Sequence, residues 1–300
     1  MKTLDPKQLA AFASVIEHGT FKAAAQSLNL TLPAVSLRLK SLEDELGRRL
    51  LIRGKNARPT PAGRMLMNYV QKSRLLEGEF FETLSGKSVW QSLEVAVNAD
   101  SLASWFLPAV GPSLERMKLL LNLHVDDQDH TLALLKSGEV AGCVTTQSKA
   151  VAGCIAEPLG VMRYRCVASP QLRDQLRLGL SARQALGIHQ LLCHPAVCFN
   201  RKDALQDQFL KLRFGVDTPQ YPRHYVPAAD AFHKALISGL GWGMEATIQH
   251  PNDYKVKNVV DLFPGFTVDL ALFWQHWARE SVHAARLTDV VKKAARKCLL

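Results

Sequence analysis

The chain has 300 residues, of which 47% are hydrophobic and 21% charged. That is the composition of a globular protein of about two domains, not of a disordered or fibrous chain. No apolar run reaches the roughly 18 residues of a membrane span, and Met1-Lys2-Thr3-Leu4-Asp5-Pro6 lacks an export-signal core, so a cytoplasmic protein with no membrane partner is expected.

The net charge of +10 is uneven. Residues 1–90 hold 14 Lys and Arg against 8 Asp and Glu, and the other 210 hold 23 against 19. A basic excess concentrated near one end points to a polyanionic partner.

Leu9, Phe12, Val15 and Ile16 recur at helical spacing, predicting a first helix that ends near His18-Gly19. Thr20 suits the N-cap of a second, Phe21 to Leu28, whose Ala23-Ala24-Ala25 lets a neighbour approach closely. After Asn29-Leu30, Thr31 caps a third helix with Pro33 in its first turn. Val35, Leu39, Leu42 and Leu46 fall on one face of that helix, and Gly47 ends it. The other face carries Pro33, Ser36, Leu37, Lys40 and Ser41, with Arg38 on the flank.

Two short helices joined by a tight turn, the second polar and basic outside, make a helix-turn-helix. Its second helix fits the DNA major groove. Leu50-Leu51-Ile52-Arg53 and Arg58-Pro59-Thr60-Pro61 then bracket Gly54-Lys55-Asn56-Ala57, a two-stranded wing bringing Arg53, Lys55 and Arg58 to the DNA backbone. The plainer reading, a three-helix domain with a solvated basic face, fits Arg38 or Lys40 taken singly. The ordered succession of elements argues against it.

From Pro61 to about Ser85 nothing breaks a helix. Ala62, Leu66, Tyr69, Ser73, Leu76 and Phe80 alternate steps of four and three, the period of a two-helix seam. Pairing two chains would give two half-site readers; the alternative is a helix packed on its own domain. Gly86-Lys87-Ser88 forms a hinge.

Beyond Trp90 the pattern changes. Leu93–Val97, Leu119–Val125, Val140–Thr145, Ile155–Leu159, Tyr164–Ala168 and Thr267–Trp274 read as strands. Helices are expected near Asp129–Ser137, after a Ser181/Gln184 capping box, at Ala228–Leu240 and at Ser281–Lys297. Alternating strands and helices predict an α/β architecture. Gly239-Leu240-Gly241-Trp242-Gly243 follows a helix rather than a strand, and no catalytic motif is present, so no enzyme is expected. The six cysteines include no Cys-x-x-Cys pair, and Cys193, His194 and Cys198 lack zinc-type spacing, so no metal is expected.

The run from Phe21 through Ser36, then Leu42-Glu43-Asp44-Glu45-Leu46-Gly47, the wing's Leu50-Leu51-Ile52-Arg53 and Thr60-Pro61-Ala62-Gly63 resemble the LysR-type transcription regulators. Leu93 through Pro108, Ser137 through Gly142 and Gly239 through Met244 resemble their ArgP/LysG branch, regulators of basic amino-acid export. The likeness spans nearly the whole chain and weakens around residues 195–225 and after Met244. Two positions depart from the family pattern. Leu32 stands where a glutamine is common, and Glu245-Ala246 where many members have a proline. Leucine reaches a thymine methyl but makes no bidentate bond to adenine.

The resemblance implies a winged helix-turn-helix over 1–60, a linker and dimerisation helix over 61–87, and a periplasmic-binding-protein-like effector domain over 88–300. Its two α/β lobes would be 91–166 with 268–300, and 167–267. It implies double-stranded DNA, a small-molecule effector, a second copy (dimer or dimer of dimers) and RNA polymerase as partners. L-lysine or L-arginine would be the effector, with no cofactor, and an amino-acid exporter gene the target. The branch's older description as a chromosome-initiation inhibitor leaves an architectural DNA-binding role as the alternative.

Thr31, Leu32, Pro33, Ser36, Leu37, Arg38, Lys40, Arg53, Lys55 and Arg58 are the candidate DNA contacts. For the effector, Ser101 opens a helix directly after a strand, where its hydroxyl and the helix N–H groups suit a carboxylate or simply cap the helix. Asn98, Thr145 and Thr146 are further polar candidates. Asp100 and Asp127, with Asp126, suit cationic groups or are solvated loop acids. Trp242 is a candidate as cleft wall or core, with Met244 beside it.

Overall fold

The computed structural model describes residues 3–52, 54, 56–85, 90–125, 128–181, 184–249 and 258–300. The chain begins with α1 (Pro6–His18), α2 (Phe21–Ser27) and α3 (Leu32–Leu46). Each starts on a side-chain cap: Asp5 Oδ1 accepts from Lys7 N at 2.8 Å, Thr20 Oγ1 from Ala23 N at 3.2 Å, and Thr31 Oγ1 from Ala34 N at 3.3 Å. Gly19 and Gly47 end α1 and α3 with φ of 72° and 63°, where glycine carries no steric cost. Phe12, Val15, Ala24, Val35, Leu39 and Leu42 form the fully buried core.

Leu46, expected on that face, is exposed. The inward position in the last turn of α3 belongs to Glu43, whose Oε1 accepts from Leu50 N at 2.7 Å and Leu51 N at 3.4 Å. The wing is a two-stranded antiparallel hairpin of β1 (Leu51–Ile52) and β2 (Arg58–Pro59), and Ala57 N donates to Gly19 O at 2.7 Å to hold it against the α1–α2 turn.

Helix α4 runs from Pro61 to Ser85. Leu66, Met67 and Val70 bury against the N-terminal core, so Leu66 serves its own domain and not the expected seam. The apolar side chains that α4 leaves exposed are Met65, Tyr69, Leu76, Phe80, Phe81 and Leu84. Farther along, Arg64 pairs with Glu139 at 3.5 Å, and Glu79 Oε1 accepts from Val282 N at 2.8 Å. Gly138, with φ of 75°, leaves space that Asn68 fills.

The rest is α/β. In chain order it comprises β3 (Gln91–Val97), α5 (Ala99–Ser101), a π-helical turn (Leu102–Phe106), α6 (Leu107–Leu114), β4 (Leu119–Val125), α7 (Gln128–Ser137), β5 (Gly142–Thr145) and β6 (Cys154–Ala168). There follow α8 (Pro170–Leu176), α9 (Ile188–Leu192), β7 (Ala196–Cys198), α10 (Leu205–Phe214), β8 (Arg223–Tyr225), α11 (Ala229–Ile237), β9 (Gly243–Ala246), β10 (Val260–Asp261), β11 (Val268–Trp277) and α12 (Val282–Cys298). The π turn relaxes the helix where Pro108 has no N–H to offer the preceding turn.

Two lobes share the two strands β6 and β11. In the first, β3 lies parallel between β4 and β5, and β5 pairs with β11 over Phe273–His276. In the second, β9 and β10 pair with the far end of β6, and β7 and β8 make a separate parallel pair. The strands expected at 155–159 and 164–168 are therefore one, bent at Gly160 with φ of 138°. Among the described residues after Ser181 no helix begins before α9 at Ile188, and Gln184 Oε1 accepts from Ser181 N at 2.6 Å.

Candidate DNA-binding face and effector cleft

Burial of Val35, Leu39 and Leu42 turns the opposite side of α3 outward. Thr31, Leu32, Pro33, Leu37 and Lys40 are exposed there, and Ser36 and Arg38 half-buried. Arg58 is exposed on the wing, while Arg53 and Lys55 lie outside the described residues. Thr31 spends its hydroxyl on the α3 cap. Among the described residues no carboxylate lies within ion-pair distance of Arg38, Lys40 or Arg58. Unpaired cations beside an exposed helix and wing are what phosphate contacts require. Gly63 at the start of α4 lets Leu50 O approach to where a side chain would sit, which closes the wing against α4.

The second site is a cleft of about 320 Å³ where the lobes meet. Asn98, Ala99 and Asp100 reach it from the start of α5, Thr146 from the end of β5, Tyr164 from β6, Phe199, Asn200 and Lys202 to Ala204 from the loop after β7, and Leu205 from the start of α10. Tyr164 donates its hydroxyl to Asp100 Oδ2 at 2.8 Å. Burial pushes the Asp100 carboxyl up to about 6, Asp203 and Glu245 push the same way, and the Tyr164 bond opposes them. Burial, with Asp100 nearby, also holds the Tyr164 hydroxyl well above its ordinary value. Asn98 Oδ1 and Ser101 Oγ are buried without a hydrogen-bond partner.

The loop after β7 is built by its own acids and amides. Asn200 Oδ1 accepts from Lys202 N at 2.8 Å and Asp203 N at 3.1 Å, and the Asp203 carboxylate accepts from Phe199 N at 2.8 Å and Leu205 N at 3.1 Å. This brings Lys202 and Asp203 to the cleft facing Asp100.

Thr145 is buried, and its hydroxyl accepts from Gln147 N at 3.2 Å, so it shapes the turn that presents Thr146. Asp127, with Asp126, lies outside the described residues. Trp242 corrects the expectation: it is fully buried in the second lobe and does not line the cleft. Its indole N–H donates to Leu191 O at 3.0 Å and His194 O at 3.3 Å, and Phe209 and Tyr221 pack beside it. Met244 does line the cleft. Glu245, where the family often has proline, is buried with its Oε1 2.5 Å from His233 Nδ1.

Tyr164, Asn200, Lys202 and Asp203 escaped the sequence reading. An Asn200-to-Asp203 turn signal was present, but nothing local tied that loop to residue 100. Among the described residues no three His, Cys, Asp or Glu side chains cluster as a metal site requires, and no helix is long and apolar enough to cross a membrane.

Residues 6–64 match the bacterial regulatory helix-turn-helix protein family, lysR type, and residues 91–296 the LysR substrate binding domain. The transcriptional regulator ArgP of Pseudomonas aeruginosa is 38% identical over 96% of this chain and 95% of its own length. The lysine export transcriptional regulatory protein LysG of Corynebacterium glutamicum is 38% identical over 97% and 98%. The crystal structure of ArgP from Mycobacterium tuberculosis superposes with a TM-score of 0.83 at 36% identity, covering 99% of each chain. Full-length LysG of Corynebacterium glutamicum with bound effector Arg gives 0.72 at 36% identity, over 98% of this chain and 99% of that one. A winged helix-turn-helix, a long connecting helix and a two-lobed sensor, matched end to end by such relatives, make this chain a member of the LysR family of DNA-binding transcriptional regulators.

Proposed function

We propose that this regulator answers to a basic amino acid, L-arginine or L-lysine, held in the cleft between the lobes. The observation that carries the reading is the polarity of that cleft. Asp100 and Asp203 both line it; burial first, then the charges of Asp203 and Glu245, raise the Asp100 carboxyl, and a ligand ammonium or guanidinium would favour its charged form. Lys202 and the orphaned Asn98 lie beside them for a ligand carboxylate and amine. LysG of Corynebacterium glutamicum, similar over the full length, has been solved with Arg as effector, which supports the same class here.

In this reading residues 1–60 bind DNA, 61–87 pair two chains, and 88–300 sense the effector, with lobes at 91–166 with 268–300 and at 167–267. Exposed Met65, Tyr69, Leu76 and Phe80 on α4 supply the pairing surface. Two recognition helices then read a dyad-symmetric site. Lobe closure biases their spacing, and so promoter bending and RNA polymerase access, at an amino-acid exporter gene in the cytoplasm.

Titration calorimetry against the common L-amino acids tests the effector. Saturable binding of arginine or lysine, weakened by Asp100→Asn and Asp203→Asn, is expected. Flat traces for every amino acid would remove the effector assignment and leave DNA binding standing.

A further inference from the structure

Between the lobes, β6 and β11 form a ribbon of only two strands. Gly160 to Arg163 pair with Leu272 to Asp269, whereas the pairing of β11 with β5 begins at Phe273 and that of β6 with β9 at Tyr164. Of the strands, β6 and β11 are the ones that run through both lobes. The ribbon is also irregular at this point. Pro158 pairs with Phe273 and Gly160 with Leu272, so Leu159 is an extra residue in the ladder, a bulge that adds bend and twist.

Residues 299 and 300, which follow α12, lie on this ribbon. Val161 N donates to Leu300 O at 2.9 Å, and Leu300 N donates to Val161 O at 3.2 Å. A reciprocal pair of this kind is one rung of antiparallel pairing. Arg163, two residues on and so facing the same edge, accepts from Thr247 N at the end of β9. Leu300 therefore carries the outer edge begun by β9 across the hinge. A side chain at Gly160 would come within 2.8 Å of Leu299 Cβ and 2.9 Å of Leu300 O, so glycine is needed for the approach as well as for its positive φ. Helix α12 packs on the first lobe through buried Leu287, Val291 and Ala295.

We infer that Leu299-Leu300 is a latch on the inter-lobe ribbon, anchored to the first lobe by α12, that fixes the lobe arrangement in which this rung is made. The inference rests on reading the cleft between the lobes as the effector site. Both backbone bonds meet a single rung at the bulge, and twisting the ribbon turns that rung away from a partner fixed on the first lobe. A contact made in one arrangement only shifts the equilibrium by its own differential free energy and changes the apparent effector affinity accordingly.

The test uses the full chain. Leu300→Pro removes one of the two donors with little other disturbance, because Leu299 at φ −95°, ψ 160° already has the extended backbone that precedes proline. Ending the chain at Cys298 removes the latch entirely, and Leu300→Ala keeps both bonds. Spin labels on exposed Cys193 in the second lobe and on Glu115→Cys in the first read the inter-lobe distance with and without L-arginine. Leu300→Pro and the shortened chain are expected to change the ligand-free inter-lobe distances and to shift arginine affinity roughly three- to tenfold, with Leu300→Ala behaving as wild type. Unchanged ligand-free distances in both altered chains, or a Leu300→Ala protein that behaves like Leu300→Pro, would overturn the latch. If the wild type binds neither arginine nor lysine, the cleft reading fails, and the ligand-free distances alone decide the latch.

Discussion

The hydroxyl of Tyr164 lies 2.8 Å from the carboxylate of Asp100 across the floor of the cleft. Asp100 belongs to the first lobe, at the start of α5. Tyr164 is the residue at which β6 leaves the two-stranded ribbon and meets β9. One hydrogen bond thus joins the acid on which the proposed effector site relies to a strand that runs through both lobes.

Burial of Asp100, which the bond only partly offsets, gives the site a pH dependence. With its carboxyl at about 6, above the ordinary 3.8, Asp100 contributes stability that is fully present below about 4 and lost as the pH rises through 6. In the ligand-free protein Asp100→Asn is expected to raise the thermal midpoint at pH 7 and leave it nearly unchanged at pH 4. Binding of a cationic amino acid needs the carboxylate, so arginine affinity should drop about tenfold between pH 7 and pH 5. Calorimetry showing equal affinity at both values would remove Asp100 from the site.

Lys40 and Arg58 are exposed on the proposed DNA face, with no carboxylate within ion-pair distance among the described residues. Lys40→Ala and Arg58→Ala should each weaken binding to specific and random duplexes alike and lower the slope of log affinity against log salt by about 1. Leu37, 69% exposed on the same face, carries no charge. Leu37→Ala should therefore leave the slope intact and change which sequences are preferred. Fluorescence anisotropy over a salt series separates the two behaviours.

Glu43 is the buried acceptor for two backbone N–H groups at the root of the wing. Glu43→Ala leaves both donors buried and unpaired, at a cost of about 1–3 kcal/mol. Glu45, exposed one turn-half away, should tolerate the same change. Urea unfolding of the two variants side by side measures the difference.

Leu76 and Phe80 are 63% and 61% exposed on α4, and Leu66 is 8% exposed. Leu76→Glu and Phe80→Glu should yield folded monomers in sedimentation velocity, with DNA affinity reduced by loss of the second half-site. Leu66→Glu should instead unfold the N-terminal domain, since it places a charge in that core. A dimer that survives both Leu76→Glu and Phe80→Glu would move the pairing surface elsewhere.

The N-terminal half was legible because its signals act within one turn of helix. Thr20 and Thr31 cap the helices that follow them, Gly47 ends α3 in the left-handed region, and the face opposite Val35 and Leu39 is open. On α4 the apolar period reads as expected, but Leu66 faces its own domain. Leu66 and Tyr69 share a heptad pattern, yet only the position of α1–α3 decides that Leu66 is covered and Tyr69 is not.

The helix-turn-helix, the wing and part of the strand and helix order beyond Trp90 followed from residue types and spacing, and the likeness to LysR-type regulators from the motif runs, while β7 to β10 and α8 to α10 went unread. The cleft did not follow from either. Asp100 and Tyr164 are 64 residues apart, the loop bearing Lys202 and Asp203 lies farther still, and Trp242 left the cleft for the core because two carbonyls of another segment claim its N–H. Local spacing governs what forms within a helical turn or a strand. Which distant side chains converge is settled only when β6 and β11 have threaded both lobes.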